Sequence, residues 1–585
     1  MVTFSISPSL RDVEGERNRY YRVLLLGVIL IGELTALVLF AFGIPFTSPY
    51  FVALNLGLLT SLSVLPLVLR LRTGSFNVAE LGLWFTAFYF AHMVLGTLYV
   101  LQFGGPPINI LPDDAIVGAL SAGLSVATIG FVCFWFGYSL PIGYRTANRL
   151  PDLAPDWRHS RLPWIIAGCL TVGWTARITI MYLASGGILG WLATPATERF
   201  LGVPGTTYLK IIGELSSLAV FMLLTVAVRG RDWRFYFATA LVLLPELGFQ
   251  LLTGRRRAVP FLLLGMVMTV YLLSDRSYKQ SVRYATAGIS TLIIMVLMFP
   301  FVTVYRHEGA LSLSAVAAKF QSLSLVKALG HRLIGSNTLS YLVHRVPDQV
   351  PHYYGTDFFL IPQTMVPRLL WPEKPQTSMG RLYTELIIPP GEYAAAEAVP
   401  PTLPGQLYWS ANLAGVALGM VLVGIIWRML NSYLVETQNH AGYATFVGIM
   451  FPSFFFVMEQ DFIALFTKHF FRFSLIGGVI VLTTLDFRRV TSQPKFNSSL
   501  FCHSILQISA ATKTSQIVAL IDHTFQSPRL RATVTKSGMW RSLVTINYNI
   551  IEAISRLKRG WENSITRNLI KNATVYQAFS DEPKR

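Results

Sequence analysis

The sequence predicts an all-α polytopic membrane protein, and three observations predict it. Only 13% of the 585 residues are charged and 53% are hydrophobic, against roughly 25% charged in soluble domains. The hydrophobic residues gather in long runs such as 23–43, broken only by Glu33, and about 20 apolar residues is the length that crosses a bilayer as a helix. The runs lack the polar–apolar alternation of a transmembrane barrel, so helices must satisfy their backbone polar groups.

About twelve spanning helices follow in order. The first, 22–43, begins after a polar, charged N-terminus and lacks a small-residue cleavage site, so it reads as a retained helix and not a signal peptide. Helices 51–69 and 79–102 flank a turn with Arg70 and Arg72. Helix 115–141 follows Asp113 and Asp114 and ends before Arg145 and Arg149, while 163–184 follows Arg158 and Arg161. Helix 207–228 ends at Arg229 and Arg231, and 235–252 follows Arg234. Helix 258–273 ends before Arg276, Lys279 and Arg283, which precede 285–305. A loop of about 100 residues, 306–404, then leads to 405–428, 441–459 and 464–485, with Arg428, Arg488 and Arg489 at their ends.

If the N-terminus is cytoplasmic, nearly all of these basic residues fall on the inner side, as the positive-inside rule requires. Both termini are therefore expected in the cytoplasm. Gly254-Arg255-Arg256-Arg257 breaks the pattern by lying outside. Either the helix count fails there, or function outweighs topology. We favour function, because guanidinium groups bind phosphate or pyrophosphate through charge-assisted, paired hydrogen bonds.

The domain organisation is thus a cytoplasmic N-terminus, 1–21, a membrane domain, 22–487, and a tail, 488–585, with fifteen Lys or Arg against five Asp or Glu. Much of the net charge of +18 resides in that tail, which reads as cytoplasmic and attracted to anionic lipid and not to nucleic acid. Cys133, Cys169 and Cys502 are dispersed, giving no disulfide framework and no metal motif. No cofactor and no metal are expected.

Ionisable residues inside spans are costly and usually face a cavity or one another. Arg177, Glu214 and Glu246 share one outer depth, as an ion pair between helices or as the wall of a polar cavity continuous with Arg255, Arg256 and Arg257. Lys468, His469 and Arg472 also lie in an outer half, where snorkelling explains them equally well. In the long loop, Arg306, His307, Glu308, His344, Arg345 and His352 are interleaved with aromatic residues, and Ser312–Arg332 has helical periodicity. The sequence leaves open which of His307, Glu308, His344 and His352 serves as a base.

The loop also contains Val366-Pro367-Arg368-Leu369-Leu370-Trp371-Pro372-Glu373-Lys374-Pro375, followed by a helix that begins Gln406-Leu407-Tyr408-Trp409 and continues Asn412-Leu413-Ala414-Gly415-Val416-Ala417-Leu418-Gly419. This string resembles the bacterial oligosaccharide repeat-unit polymerases, the Wzy-type O-antigen polymerases, over roughly residues 20–485. The tail beyond 490 has no counterpart in that resemblance, as an added extension or a reading-frame artefact. The resemblance implies a GT-C-like architecture in the bacterial inner membrane, with the long loop in the periplasm. It implies a glycosyltransferase-type reaction in which a glycan on undecaprenyl diphosphate is transferred to the terminal hydroxyl of another lipid-linked repeat unit, building O-antigen, capsule or exopolysaccharide. The partners so implied are the lipid-linked oligosaccharide and the bilayer, with a chain-length regulator and a flippase as candidate protein partners.

Arg368 is the leading diphosphate-binding candidate, joined by Arg255, Arg256, Arg257, Arg177, Arg306 and Arg345, because negative charge develops on the departing diphosphate. The acceptor hydroxyl needs a base, the role for which His307, Glu308, His344 and His352 compete. An O-antigen ligase with the same donor, or a lipid-linked oligosaccharide flippase, remains the alternative.

Overall fold

The computed structural model describes residues 27–484 apart from 106–109, 152, 154, 158–159, 195–205, 254–257, 275–276, 292–329, 331–332, 367–370, 372, 374–377, 389–398, 438, 460 and 465–468. The described residues belong to one compact unit that ends at Thr484; residues 1–26 and 485–585 lie outside the described residues.

All regular structure among the described residues is helical. Eight helices are long and apolar enough to cross a membrane: α2 (Pro49–Arg72), α3 (Leu81–Phe103), α4 (Asp113–Ser139), α5 (Leu162–Ser185), α6 (Thr207–Gly230), α7 (Trp233–Leu252), α11 (Leu403–Val435) and α12 (Ala441–Glu459). Three shorter apolar helices, α1 (Gly27–Ala41), α8 (Ala258–Leu272) and α13 (Phe470–Thr484), coincide with further expected spans. The expected 285–305 span starts in helical residues 278–291 and continues outside the described residues. The chain is a helical membrane protein.

Local chemistry sets the helix ends. Asp113 and Asp114 occupy the first turn of α4, where carboxylates favour the positive pole of the helix dipole. Asp232 caps α7 by accepting from Arg234 N at 3.0 Å. Gly186 ends α5 at φ 73°, in the left-handed region that glycine enters without penalty.

Helices α4 and α11 approach through glycine from both sides. A Cβ on Gly137 of α4 would land on the Val421 carbonyl of α11, and one on Gly424 would land on the Phe134 carbonyl. Backbones that close gain van der Waals contact where lipid supplies no hydrophobic drive. Phe85 of α3 stacks on Phe134 of α4, 3.6 Å between ring centres. Among the eight spans, α12 and α6 are the most buried and α7 the least.

The long loop is not confined to a surface cover. Its helix α9 (Gly335–Arg345) is buried from Gly335 to Leu342 and packs against α3 and α4, with Ser340 over Gly123 and Gly335 over His92. Small side chains make this insertion possible. A further helix, α10 (Met379–Leu386), follows, its Tyr383 hydroxyl donating to the Thr338 carbonyl at 3.0 Å. The helix expected over 312–332 lies outside the described residues, apart from Gly330.

Candidate functional site

Helix α11 begins with Thr402 as its cap, which accepts from Gly405 N at 3.2 Å, and with Pro404 in its first turn. It is interrupted at Ala411 and Asn412, whose backbone leaves the helical region; Asn412 has φ 57°. The segment before the break, Leu403–Ser410, is buried throughout, whereas Asn412, Leu413 and Ala414 are exposed.

Interrupting a helix frees carbonyls that need donors. The loop after α9 provides them: Tyr353 N donates to Trp409 O and Gly355 N to Ser410 O, each at 3.0 Å. Tyr354 and Gly355 both have positive φ, which turns the loop sharply enough to present both amides. The Trp409 indole returns a hydrogen bond to Pro351 O at 3.2 Å, and the Tyr353 and Trp409 rings lie 4.8 Å apart.

This arrangement hangs two titratable side chains on adjacent residues of α11. His352 places Nδ1 3.3 Å from Trp409 O, beside the Tyr408 ring. Asp357 accepts on Oδ2 from Gln406 Nε2 at 2.9 Å and from the Ser410 hydroxyl. Gln406 in turn accepts from Phe462 N, which ties the site to the chain after α12. Asp357 is 1% exposed and His352 8%, yet Asp357 Oδ1 and His352 Nε2 have no hydrogen-bond partner among the described residues. Other buried polar atoms, such as Ser340 Oγ, share that state, so it is the position of these two titratable groups beside a broken helix that marks a candidate site. Burial, and secondarily the Asp357 carboxylate, pushes the nearby Tyr353 phenol above its usual range.

A second polar cluster is complete. Arg177, 3% exposed, donates from both terminal nitrogens to Glu246 at 2.6 Å. Ser217 at 2.6 Å, Ser216 at 3.0 Å and Gln250 at 3.2 Å also donate to this carboxylate. The guanidinium carbon is 4.3 Å from the centre of the Phe249 ring. Of the two carboxylates weighed for Arg177, Glu246 takes it, while Glu214 pairs with Arg472, which also donates to Ser453 Oγ at 2.6 Å. With these partners filled, the cluster ties α5, α6 and α7 together.

Arg345 donates to Tyr341 OH at 2.7 Å and to Gln349, and His344 lies half-buried beside it in the last turn of α9. Arg255, Arg256, Arg257, Arg306, His307, Glu308 and Arg368 lie outside the described residues. Asp357 was missed by sequence reasoning. Its signal was a single acid set between Tyr353-Tyr354 and Phe358-Phe359, while its partners Gln406 and Ser410 follow about 50 residues later.

Residues 188–493, just over half of the chain, match the profile of a domain of unknown function, DUF8712. The chain belongs to the DUF8712 family. No curated protein and no solved structure matches it. The DUF8712 region starts at the short helix Ile188–Ala193 after α5 and contains the long loop, α11 and the partners of the break. It includes Glu246 but not Arg177, and it ends nine residues past Thr484, where the compact unit stops.

Proposed function

We propose that this DUF8712 protein polymerises lipid-linked oligosaccharide repeat units at the outer face of the bacterial inner membrane, with a polyprenyl-diphosphate-linked glycan as donor. The observation that carries the reading is the interrupted α11, with Asp357 and His352 held at the break, each with one polar atom unpartnered among the described residues. Glycosyl transfer to a sugar hydroxyl needs a proton acceptor and a setting that accommodates the anionic leaving group. His352 supplies the proton acceptor, with Nδ1 turned to Trp409 O and Nε2 left for the acceptor hydroxyl. The exposed start of the second half of α11, at Asn412–Ala414, presents the positive end of a helix dipole. Arg368 and the Arg255–Arg257 turn are assigned to the diphosphate, on the resemblance and on guanidinium geometry. A GT-C-like arrangement of about twelve spans, with the long loop periplasmic, completes the reading.

A flippase or other transporter is the second reading, because transporters bind substrate at discontinuous helices such as α11. Deleting the gene and separating surface polysaccharide on a gel distinguishes these. Polymerase loss leaves one-repeat material, ligase loss leaves unligated lipid-linked polymer, and flippase loss leaves repeat units in the cytoplasm. The last two outcomes refute the proposal.

A further inference from the structure

The described spans pair their charges with care. At or within them Arg70 meets Glu80, Arg177 meets Glu246, Arg428 meets Glu436 and Arg472 meets Glu214. Glu33 departs from this pattern. It sits near the midpoint of the apolar run 22–43, on α1, and is exposed with no hydrogen bond or ion pair among the described residues. Its neighbours on that face, at helical spacing, are Leu30, Leu37 and Phe40, exposed by 60%, 62% and 74%. The opposite side of α1 rests on α2, where Gly32 faces Leu58.

A carboxylate near mid-span in hydrocarbon is costly, and such groups are normally paired. Snorkelling is the work of long Lys and Arg side chains near helix ends, and Glu33 is a shorter acid in the middle. We propose that the Leu30–Glu33–Leu37–Phe40 face of α1 docks a membrane-spanning helix of another protein that carries a lysine or arginine at the depth of Glu33. The apolar residues at three- and four-residue spacing give a packing seam, and Glu33 gives the pair its register. A second copy of this chain is disfavoured, because a two-fold contact through this face sets Glu33 against its own equivalent.

The test places a photo-crosslinking amino acid at Leu37 of the full-length protein in its native membrane. The adduct is sequenced, and the measurement is repeated with Glu33→Gln at equal abundance. Among the described residues Glu33 holds no partner, so this variant should fold normally. The proposal expects an adduct with a membrane-spanning peptide that contains a mid-span lysine or arginine, reduced about tenfold by Glu33→Gln. Adducts with lipid alone, with a second copy of this chain, or with a span lacking a basic residue overturn it, as does a yield that Glu33→Gln leaves unchanged.

Discussion

Glu246 and Asp357 are both buried carboxylates, and their surroundings separate structure from function. Glu246 receives five hydrogen bonds, two from Arg177, whereas Asp357 keeps one oxygen without a partner among the described residues. Glu246→Gln should therefore reduce folded protein, since breaking a buried ion pair costs about 3–5 kcal/mol. Asp357→Asn preserves an acceptor for Gln406 and Ser410, so it should accumulate at wild-type level and yield mainly single repeat units. Immunoblotting of membranes beside a polysaccharide gel checks both; wild-type polymer from Asp357→Asn would remove that residue from the site. His440 gives a pH test. Its ring is buried and stacked 3.8 Å from Tyr443, with Nδ1 accepting from Tyr443 N at 3.2 Å and Nε2 3.2 Å from Leu153 O. Burial lowers its pKa, with Arg229 adding to the shift and the Leu153 carbonyl and Asp156 opposing it. The unfolded chain then binds the proton more readily than the folded one, so stability is full above about pH 6.5 and falls as pH drops below it. Thermal unfolding of purified protein should show that loss, and His440→Phe should lessen it. Arg177 and Glu246 were legible because a charge within an apolar run is conspicuous. Asp357 was not, because no periodicity links a loop acid to a distant helix.

At the scale of the element, the apolar runs foretold the described helices because helix is the backbone's economical state in lipid. The run expected at 405–428 became Leu403–Val435, and the one at 115–141 became Asp113–Ser139. The interruption at Ala411–Asn412 was not legible, since neither residue is proline or glycine and the surrounding run is apolar. The loop amides of Tyr353 and Gly355 take up its freed carbonyls. The insertion of α9 was hidden too, because its polar residues Ser336, Asn337, Thr338 and Ser340 read as solvent-facing until α3 and α4 close over them. If the break matters, its backbone should constrain substitution. Asn412→Val puts a β-branched residue at φ 57° and should cost about 1–3 kcal/mol, whereas Asn412→Gly should be near neutral. Unfolding midpoints of the two purified variants provide the comparison; equal midpoints would mean that the break carries no strain.

For the whole molecule, orientation joins the separate sites. Reporter fusions after Arg234, Arg283 and Arg489 should report the cytoplasm, and those after Arg257 and within 320–400 the periplasm. A cytoplasmic signal at Arg257 would withdraw the arginine turn from the diphosphate. Class and helix order were legible in the sequence because hydropathy and charge asymmetry are properties of the chain as a whole. The site was legible only in part, because it is assembled from the long loop, α11 and the chain after α12. The most direct test is reconstitution of the purified protein into vesicles containing one defined undecaprenyl-diphosphate-linked repeat unit, followed by gel separation of the glycans. A polymerase yields a ladder of multiple repeats and free undecaprenyl diphosphate. Single repeats that merely cross the bilayer would contradict the account and favour the transporter.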